Sequence, residues 1–291
     1  MRKHPLAEVF GFPYDNFSAE AKRCRRLKLC PFNNKVPNCT KDKANDPLGV
    51  CSIFEGSNPA ITCPVRFREN WQIAEDAARF FFAENESWTS LTEVRLADAE
   101  GKSAGNIDLV LVSYDTHGKV TGFGAVEVQA VYISGNVRRP FEAYMANPEQ
   151  GANMDWSTER NYPRADYLSS SRKRLAPQLI YKGGILKAWN RKTAVALNTG
   201  FFSTLPKLES VAREEADIAW LVYRLDKDKE SGVFKLCLDD TVYTKFESAL
   251  DQITGSSAGE EEKFLRHLQS KLDEKLEIGT PPDTHTIDEE M

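Results

Sequence analysis

Three polar residues of one predicted β-hairpin have the types and spacing of a metal-dependent hydrolytic site. Asp108 stands near the start of an apolar run, and Glu127 and Gln129 lie two residues apart in a second apolar run. Side chains two apart on a strand share a face, so Glu127 and Gln129 should point the same way. If Asp108 projects toward them, two carboxylates and an amide meet. That group is a suitable seat for a hard divalent cation such as Mg²⁺.

The chemistry that this pattern favours is phosphodiester hydrolysis. A carboxylate pair can hold one or two Mg²⁺ ions, which activate a water and stabilise the pentacovalent phosphorus. In nucleases with an acid-acid-lysine core, lysine occupies the position that Gln129 has here. Glutamine cannot act as a base, so the replacement removes lysine from the expected mechanism, and the proton must go to a phosphate oxygen or to hydroxide at the metal. Glu93 is a candidate further ligand, and the alternative interpretation is a solvent-facing charged strip.

The elements that would position these residues are an amphipathic helix and three strands. Residues 106–132 hold two β-rich runs around a turn at 115–119, the signature of a hairpin. A strand over 87–96 precedes it, and apolar residues recur at helical spacing over 68–84. This succession predicts a mixed α/β (α+β) fold in which helices flank a central sheet, with the acids near its middle.

Further elements follow the hairpin and complete the predicted organisation. Residues 167–189 should form one broken helix or two short helices, because Pro177 and the Gly183-Gly184 pair interrupt them. Strands are expected over 193–202, 218–225 and 233–244, and helices over 18–29, 141–145, 245–253 and 260–277. We divide the chain into residues 1–67, a core over 68–254, and a charged helix with an acidic, disordered tail over 255–291.

Five of the six cysteines precede residue 64, and four of these are candidate metal ligands: Cys30, Cys39, Cys51 and Cys63. Four thiolates in a tetrahedron select zinc or iron. The loop-rich run 31–64 offers little apolar area to bury, so we expect a metal to hold it together. Cys24, on a basic helix, is a competing ligand, and a set of unligated thiols is the simpler alternative.

The distribution of charge points to an anionic partner although the net charge is −5. Residues 1–66 hold eleven Lys/Arg against six Asp/Glu, and residues 160–192 hold nine against one. Localised positive surfaces of this kind favour phosphate, although solvated helix faces would give the same pattern. No apolar run approaches the ~20 residues of a membrane helix, and the first residues lack the apolar core of a secretory signal. We therefore expect a cytoplasmic protein without a membrane partner.

Several segments resemble the NotI family of type II restriction endonucleases. They are residues 4–13, 30–34, 39–41, 49–53 and 63–67, the Ala-Val-Glu-Val-Gln run, and residues 168–179. The resemblance covers most of the chain up to about Leu225 and implies a bacterial nuclease of the PD-(D/E)xK superfamily. It implies a homodimer that cuts a GC-rich palindrome in double-stranded DNA with Mg²⁺, using Asp108, Glu127 and Gln129. It also implies a structural iron at the four cysteines and a cognate DNA methyltransferase.

Readout of a GC-rich site needs arginines that can fork onto guanine O6 and N7 in the major groove. The candidates for base contacts are Arg138, Arg139, Arg172 and Arg174, and those for phosphate contacts are Lys173 and Lys182. Each could equally be a plain surface cation. The competing function is a non-enzymatic DNA-binding regulator built on the cysteine region and the basic helix.

Overall fold

The computed structural model describes residues 3–33, 35–43, 45–256 and 258–277. Within them the strands are β1 Leu6–Val9, β2 Phe12–Pro13, β3 Asp42–Lys43, β4 Asp46–Pro47, β5 Val50–Glu55, β6 Asn58–Ile61, β7 Trp88–Ala97, β8 Ser103–Tyr114, β9 Val120–Gln129, β10 Tyr132–Ser134, β11 Arg164–Asp166, β12 Thr193–Asn198, β13 Ile218–Lys227 and β14 Phe234–Thr244. The chain divides into one unit that ends at Thr254 and a second that begins at Gly255. The predicted disordered tail lies outside the described residues from position 278 onward.

The helices are α1 Ala19–Leu27, α2 Gln72–Phe81, α3 Arg138–Ala146, α4 Pro148–Gly151, α5 over 167–188, α6 Thr199–Phe202, α7 Phe246–Thr254 and α8 Glu261–Glu277. A 3₁₀ segment, Pro64–Trp71, leads into α2. The helix expected from residue 68 begins at Gln72, because Asn70 and Trp71 adopt left-handed backbone angles with φ of 52° and 55°. None of the described helices is both long and apolar enough to traverse a lipid bilayer.

A six-stranded sheet forms the centre of the first unit, in the order β14-β13-β12-β9-β8-β7. β9, β12 and β13 are parallel, whereas β14, β8 and β7 run antiparallel to their neighbours. The parallel pairing of β9 with β12 requires a crossover, and the chain from α3 to α5 provides it. The predicted mixed sheet flanked by helices is confirmed at this level.

Alternating residues cover the two faces of this sheet with separate apolar clusters. Val126 and Val128 of β9 belong to the cluster that includes Ile73 and Ala77 of α2. The opposite cluster joins strands β12 and β13 to helices α5, α6 and α7, and its members include Val195, Trp220, Leu175, Leu179, Phe201 and Phe246. β12 is buried on both faces, as expected of a central parallel strand.

The N-terminal region shares an apolar core with α3, so the expectation that residues 31–64 have too little apolar area was wrong. β2, β1, β5 and β6 form an antiparallel sheet in that order. The core cluster combines residues of this sheet with side chains of α3, among them Leu6, Val9, Phe10, Val50, Ile53, Phe141 and Tyr144. These apolar residues come from segments far apart in the sequence, which is why no local periodicity reveals them.

Arg66 links the N-terminal sheet to the central sheet through a buried ion pair. Its Nε lies 3.0 Å from Glu8 Oε1 on β1, and its Nη1 lies 2.7 Å from Glu69 Oε2. Its Nη2 donates to the Phe234 carbonyl on β14 at 2.9 Å. Arg66 and Glu8 are fully buried, and burial raises the pKa of Glu8 above its ordinary value. Removing one partner would leave an uncompensated charge in the interior.

Replacing Arg66 by methionine should lower the free energy of unfolding by about 3–5 kcal/mol, because Glu8 then stays buried without its counter-charge. Urea unfolding followed by circular dichroism measures this change. The matched control is Lys227→Met, which removes an exposed pair with Asp15 at 3.2 Å. That control should cost less than about 1 kcal/mol. Equal losses in the two variants would contradict the importance of the buried pair.

Candidate active site

The register of the β8–β9 hairpin brings Asp108 and Glu127 together. Leu109 pairs with Val126, so the next position of the ladder sets Asp108 across from Glu127. Asp108 Oδ2 accepts a hydrogen bond from the backbone N–H of Val128 at 2.8 Å, which turns its carboxylate toward β9. The two carboxylates of the predicted site are therefore neighbours in space.

Glu127 and Gln129 point from β9 toward α5, and both are buried. Gln129 Nε2 donates to Gln178 Oε1, and Glu127 Oε2 accepts from Lys182 Nζ at 2.6 Å. Two residues along a strand span ~6.6 Å and four residues along a helix span ~6 Å. The Gln178–Lys182 spacing on α5 therefore matches the Gln129–Glu127 spacing on β9.

Lys182 is the site residue whose position the sequence did not reveal. It was expected to contact DNA phosphates, but it is 5% exposed, and its Nζ also donates to the Asn106 carbonyl at 2.8 Å. A lysine is thus present at the site although Gln129 occupies the lysine position of the strand. The only sequence signal is the four-residue spacing of Gln178 and Lys182, and it has meaning only if α5 is continuous.

α5 is continuous, so the expected break at Pro177 and the glycine pair was wrong. Successive turns remain right-handed throughout, and two of them, Ser171–Leu175 and Leu179–Gly183, are π-helical. A π turn is wider than an α turn, which relieves the clash of a proline ring with the preceding turn. Gly183 permits close packing on α7, since a Cβ there would lie 2.7 Å from the Phe246 ring. Of the helix-breaking residues, Gly183 therefore serves packing.

Two buried oxygen atoms at the site have no hydrogen-bond partner among the described residues: Glu127 Oε1 and Gln129 Oε1. A buried acceptor without a donor is costly, and this arrangement fits a bound cation or water. The described residues contain no group of three or more His, Cys, Asp or Glu side chains that could hold a metal. An ion here would rest on Asp108, Glu127 and the Gln129 amide, completed by water and phosphate oxygens, a pattern common for Mg²⁺.

Burial is the main reason that the pKa of Glu127 rises from its ordinary value to about 7. The nearby Asp108 carboxylate raises that pKa further, whereas the Lys182 ammonium lowers it. The folded protein therefore retains the Glu127 proton up to about pH 7, while the unfolded chain releases it near pH 4.5. The stability that neutral Glu127 contributes is present below pH 4.5 and is lost as the pH rises through about 7.

Replacing Glu127 by glutamine should remove this pH dependence. In metal-free buffer, the free energy of unfolding of Glu127→Gln relative to the wild type should rise by about 3 kcal/mol between pH 4.5 and pH 8. Chemical denaturation at both pH values measures the difference, in which the other titrating groups cancel. A difference that stays constant with pH would contradict the raised pKa.

Glu93 lies across from Asp108 in the β7–β8 register, between the pairs Thr92–Leu109 and Val94–Ile107. Its backbone is left-handed, with φ of 57°. Its carboxylate is exposed and lies 3.7 Å from Lys35 Nζ and 4.0 Å from Arg68 Nη2. Its role as a further ligand stays a prediction.

The predicted DNA-binding arginines fall into two groups. Arg138 forms ion pairs with Asp42 and Asp46, and Arg139 pairs with Glu159 at 2.8 Å. Arg172 and Lys173 are exposed on α5 and Arg174 is half-buried there. None of these three cations forms an ion pair with a carboxylate of the described part of the chain. They are the more available of the predicted phosphate and base contacts.

The four candidate cysteine ligands are near enough to influence one another. Burial, followed by the neighbouring Cys63 and Cys39 thiols, raises the pKa of Cys30 to about 11. Burial, the Cys63 thiol, the Glu8 carboxylate and the Cys30 thiol raise that of Cys51. Cys24 contacts Glu20 instead, with Sγ 3.6 Å from Oε1. The described side chains still form no metal-holding group, so the structure does not show the predicted four-cysteine site.

A family model described as restriction endonuclease NotI matches residues 15–236 of this 291-residue chain. The chain belongs to the NotI family. It is therefore a type II restriction endonuclease, a site-specific deoxyribonuclease that hydrolyses phosphodiester bonds, and its partner is DNA. Membership in the NotI family favours the nuclease over the non-enzymatic regulator. A search of curated proteins found no match to the chain.

Proposed function

We propose that this NotI-family endonuclease cuts both strands of DNA at a short GC-rich palindrome in a Mg²⁺-dependent reaction at Asp108, Glu127 and Gln129. The unpartnered oxygens of Glu127 and Gln129 carry this proposal, because they are buried acceptors on one strand face beside a second carboxylate. Hard cations such as Mg²⁺ prefer oxygen ligands of this kind. Restriction endonucleases typically use Mg²⁺, which agrees with the donor set.

The residues of the site have separate tasks in this proposal. Bound Mg²⁺ supplies a Lewis acid that polarises the scissile phosphate and lowers the pKa of water. Asp108 and Glu127 would hold the ion, with Glu93 as a further candidate ligand. Gln129 would add its amide oxygen, and the hydrogen bond from its Nε2 to Gln178 fixes which end of the amide faces the ion. The buried setting strengthens each electrostatic contact.

The same proposal assigns DNA contacts to the basic residues. Arg172 and Arg174 would read guanines, and Lys173 would contact phosphate, because none of these cations on α5 forms an ion pair at contact distance among the described residues. Lys173 interacts with the Asp166 carboxylate only through its charge. Arg138 and Arg139 would have to exchange their present ion pairs for DNA. A palindromic site implies a two-fold protein, so we propose a homodimer accompanied by a cognate methyltransferase.

GC-rich plasmid DNA incubated with the protein and Mg²⁺ should yield discrete fragments. Asp108→Ala and Glu127→Ala should each lower the cleavage rate at least about 100-fold, because each removes a charged ligand worth several kcal/mol. Gel electrophoresis of timed samples measures the rate, and fragment sequencing gives the site. Glu100→Gln, at the exposed turn before β8, is the matched control and should cut normally. If the wild-type protein binds the DNA but does not cut it with any divalent metal ion, the catalytic assignment is wrong.

We further propose that Cys30, Cys39, Cys51 and Cys63 bind a structural iron or zinc. Thiolates suit both metals. Burial, and after it the neighbouring Cys63 thiol, raises the pKa of Cys30, Cys39 and Cys51, so these three thiols lie near Cys63. The Lys41 ammonium supports the assignment. It donates to the Val50 carbonyl at 2.5 Å and to Thr62 Oγ1 at 3.1 Å, while its charge interacts with Cys63, Cys51 and Cys39. Anionic thiolates would provide the counter-charge of this ammonium.

Elemental analysis of the purified protein should find about one iron or zinc per chain. Cys51→Ser should lose the metal, because a hydroxyl is a poor ligand for either ion. Cys237→Ser is the control, since this cysteine lies on β14 and should leave the metal content unchanged. Cys24→Ser should also retain the metal, because Cys24 contacts Glu20. A metal-free protein that folds stably would refute the site.

A further inference from the structure

The Lys182 ammonium occupies a position between the two strands that carry the catalytic carboxylates. Its Nζ lies 2.8 Å from the Asn106 carbonyl on β8 and 2.6 Å from Glu127 Oε2 on β9. Asn106 precedes Asp108 by two residues on β8. The ammonium therefore contacts both the strand that carries Asp108 and the strand that carries Glu127. An ammonium has three N–H donors, and the contacts within the described residues use two of them. One donor is left for a ligand of the site.

Packing of the α5 residues that precede and follow Lys182 fixes the position of its side chain. Leu179 and Leu186 of α5 are buried, one against the β12–β13 face and the other against Ala125 and Val110. Gly183 allows Phe246 to pack closely against the helix. One turn earlier, Gln178 binds Gln129, the residue at the strand position where a lysine would otherwise reach the same site. On α5, Lys182 therefore faces Glu127 of β9, and Gln178 faces Gln129.

We propose that Lys182 is a catalytic residue, which supplies from α5 the ammonium that Gln129 does not supply from β9, and that its remaining donor contacts the scissile phosphate. This inference rests on the proposed phosphodiester hydrolysis at Asp108 and Glu127. A non-bridging phosphate oxygen is the partner of the right charge for a cation held between two strands. The ammonium also offsets the charge of Glu127 without occupying its second oxygen, Oε1.

The assigned role is electrostatic and does not change the protonation of Lys182. The water oxygen forms a bond to phosphorus, and the bond from phosphorus to the leaving sugar oxygen breaks with its electron pair on that oxygen. The attacking water loses a proton to a phosphate oxygen, which releases it to solvent, and the leaving oxygen takes one up as a hydroxyl. In the transition state, negative charge grows on the non-bridging phosphate oxygens. A pre-positioned ammonium stabilises this transition state more than it stabilises the ground state.

Single-turnover cleavage of a DNA fragment that the wild type cuts tests this role, measured in Mg²⁺ from pH 6 to pH 9.5. Lys182→Met should lower the high-pH plateau rate about 100-fold. Its DNA affinity in Ca²⁺ should stay within about threefold of the wild type, because one buried cation contributes little to binding a long polyanion. Adding Gln129→Lys to Lys182→Met should restore the plateau rate at least about tenfold, since it returns an ammonium to the site from the strand. Lys182→Gln replaces Lys182→Met if the methionine variant unfolds.

The matched control is Lys187→Met, on the same helix, where the lysine pairs with Asp217 at 2.9 Å away from the two carboxylates. Its plateau rate should stay within about threefold. A Lys182→Met plateau equal to the wild type, reached only at higher pH, would overturn the inference, because Lys182 would then merely neutralise Glu127. A plateau loss that Gln129→Lys fails to recover would also overturn it. If Glu127→Ala cuts normally, it is the hydrolytic site itself that fails.

Discussion

Placing an ionisable carboxylate inside a sheet is the constraint on which the site depends. Glu127 has to be charged to bind a cation, yet it lies where burial favours its neutral form. The Lys182 ammonium at 2.6 Å offsets that penalty, and Glu127 Oε1 meets no hydrogen-bond donor within the described part of the chain. The pair can exist only if α5 lies across β9 in one register. The position of this helix is therefore part of the chemistry.

Other elements of the first unit hold α5 in its position across β9. The parallel pairing of β9 and β12 requires a crossover, and α5 is its last part before the chain enters β12. Leu175 and Leu179 pack against the apolar side chains of β12 and β13. The π turns widen the helix around Pro177, so that it stays continuous as far as Lys182. π turns occur frequently at functional sites.

The N-terminal region is joined to the nuclease sheet by a buried charge network. Arg66 contacts β1 through Glu8 and β14 through the Phe234 carbonyl, so the two sheets share one fully buried cation. The family match runs from residue 15 to residue 236 and covers both regions. An apolar cluster holds the N-terminal sheet, so the proposed metal would reinforce a region that already has a core.

The sequence by itself determined the hairpin, its two carboxylates, the mixed sheet and the family, because strand alternation and turn residues are local signals. It misjudged α5, since Pro177 and the two glycines break an isolated helix but are tolerated in a packed one with π turns. It also could not place Lys182 beside Glu127, because 55 residues separate them. Only the tertiary structure decided that contact. Burial of the carboxylate favours a nearby counter-charge, and which lysine provides it depends on how the crossover packs.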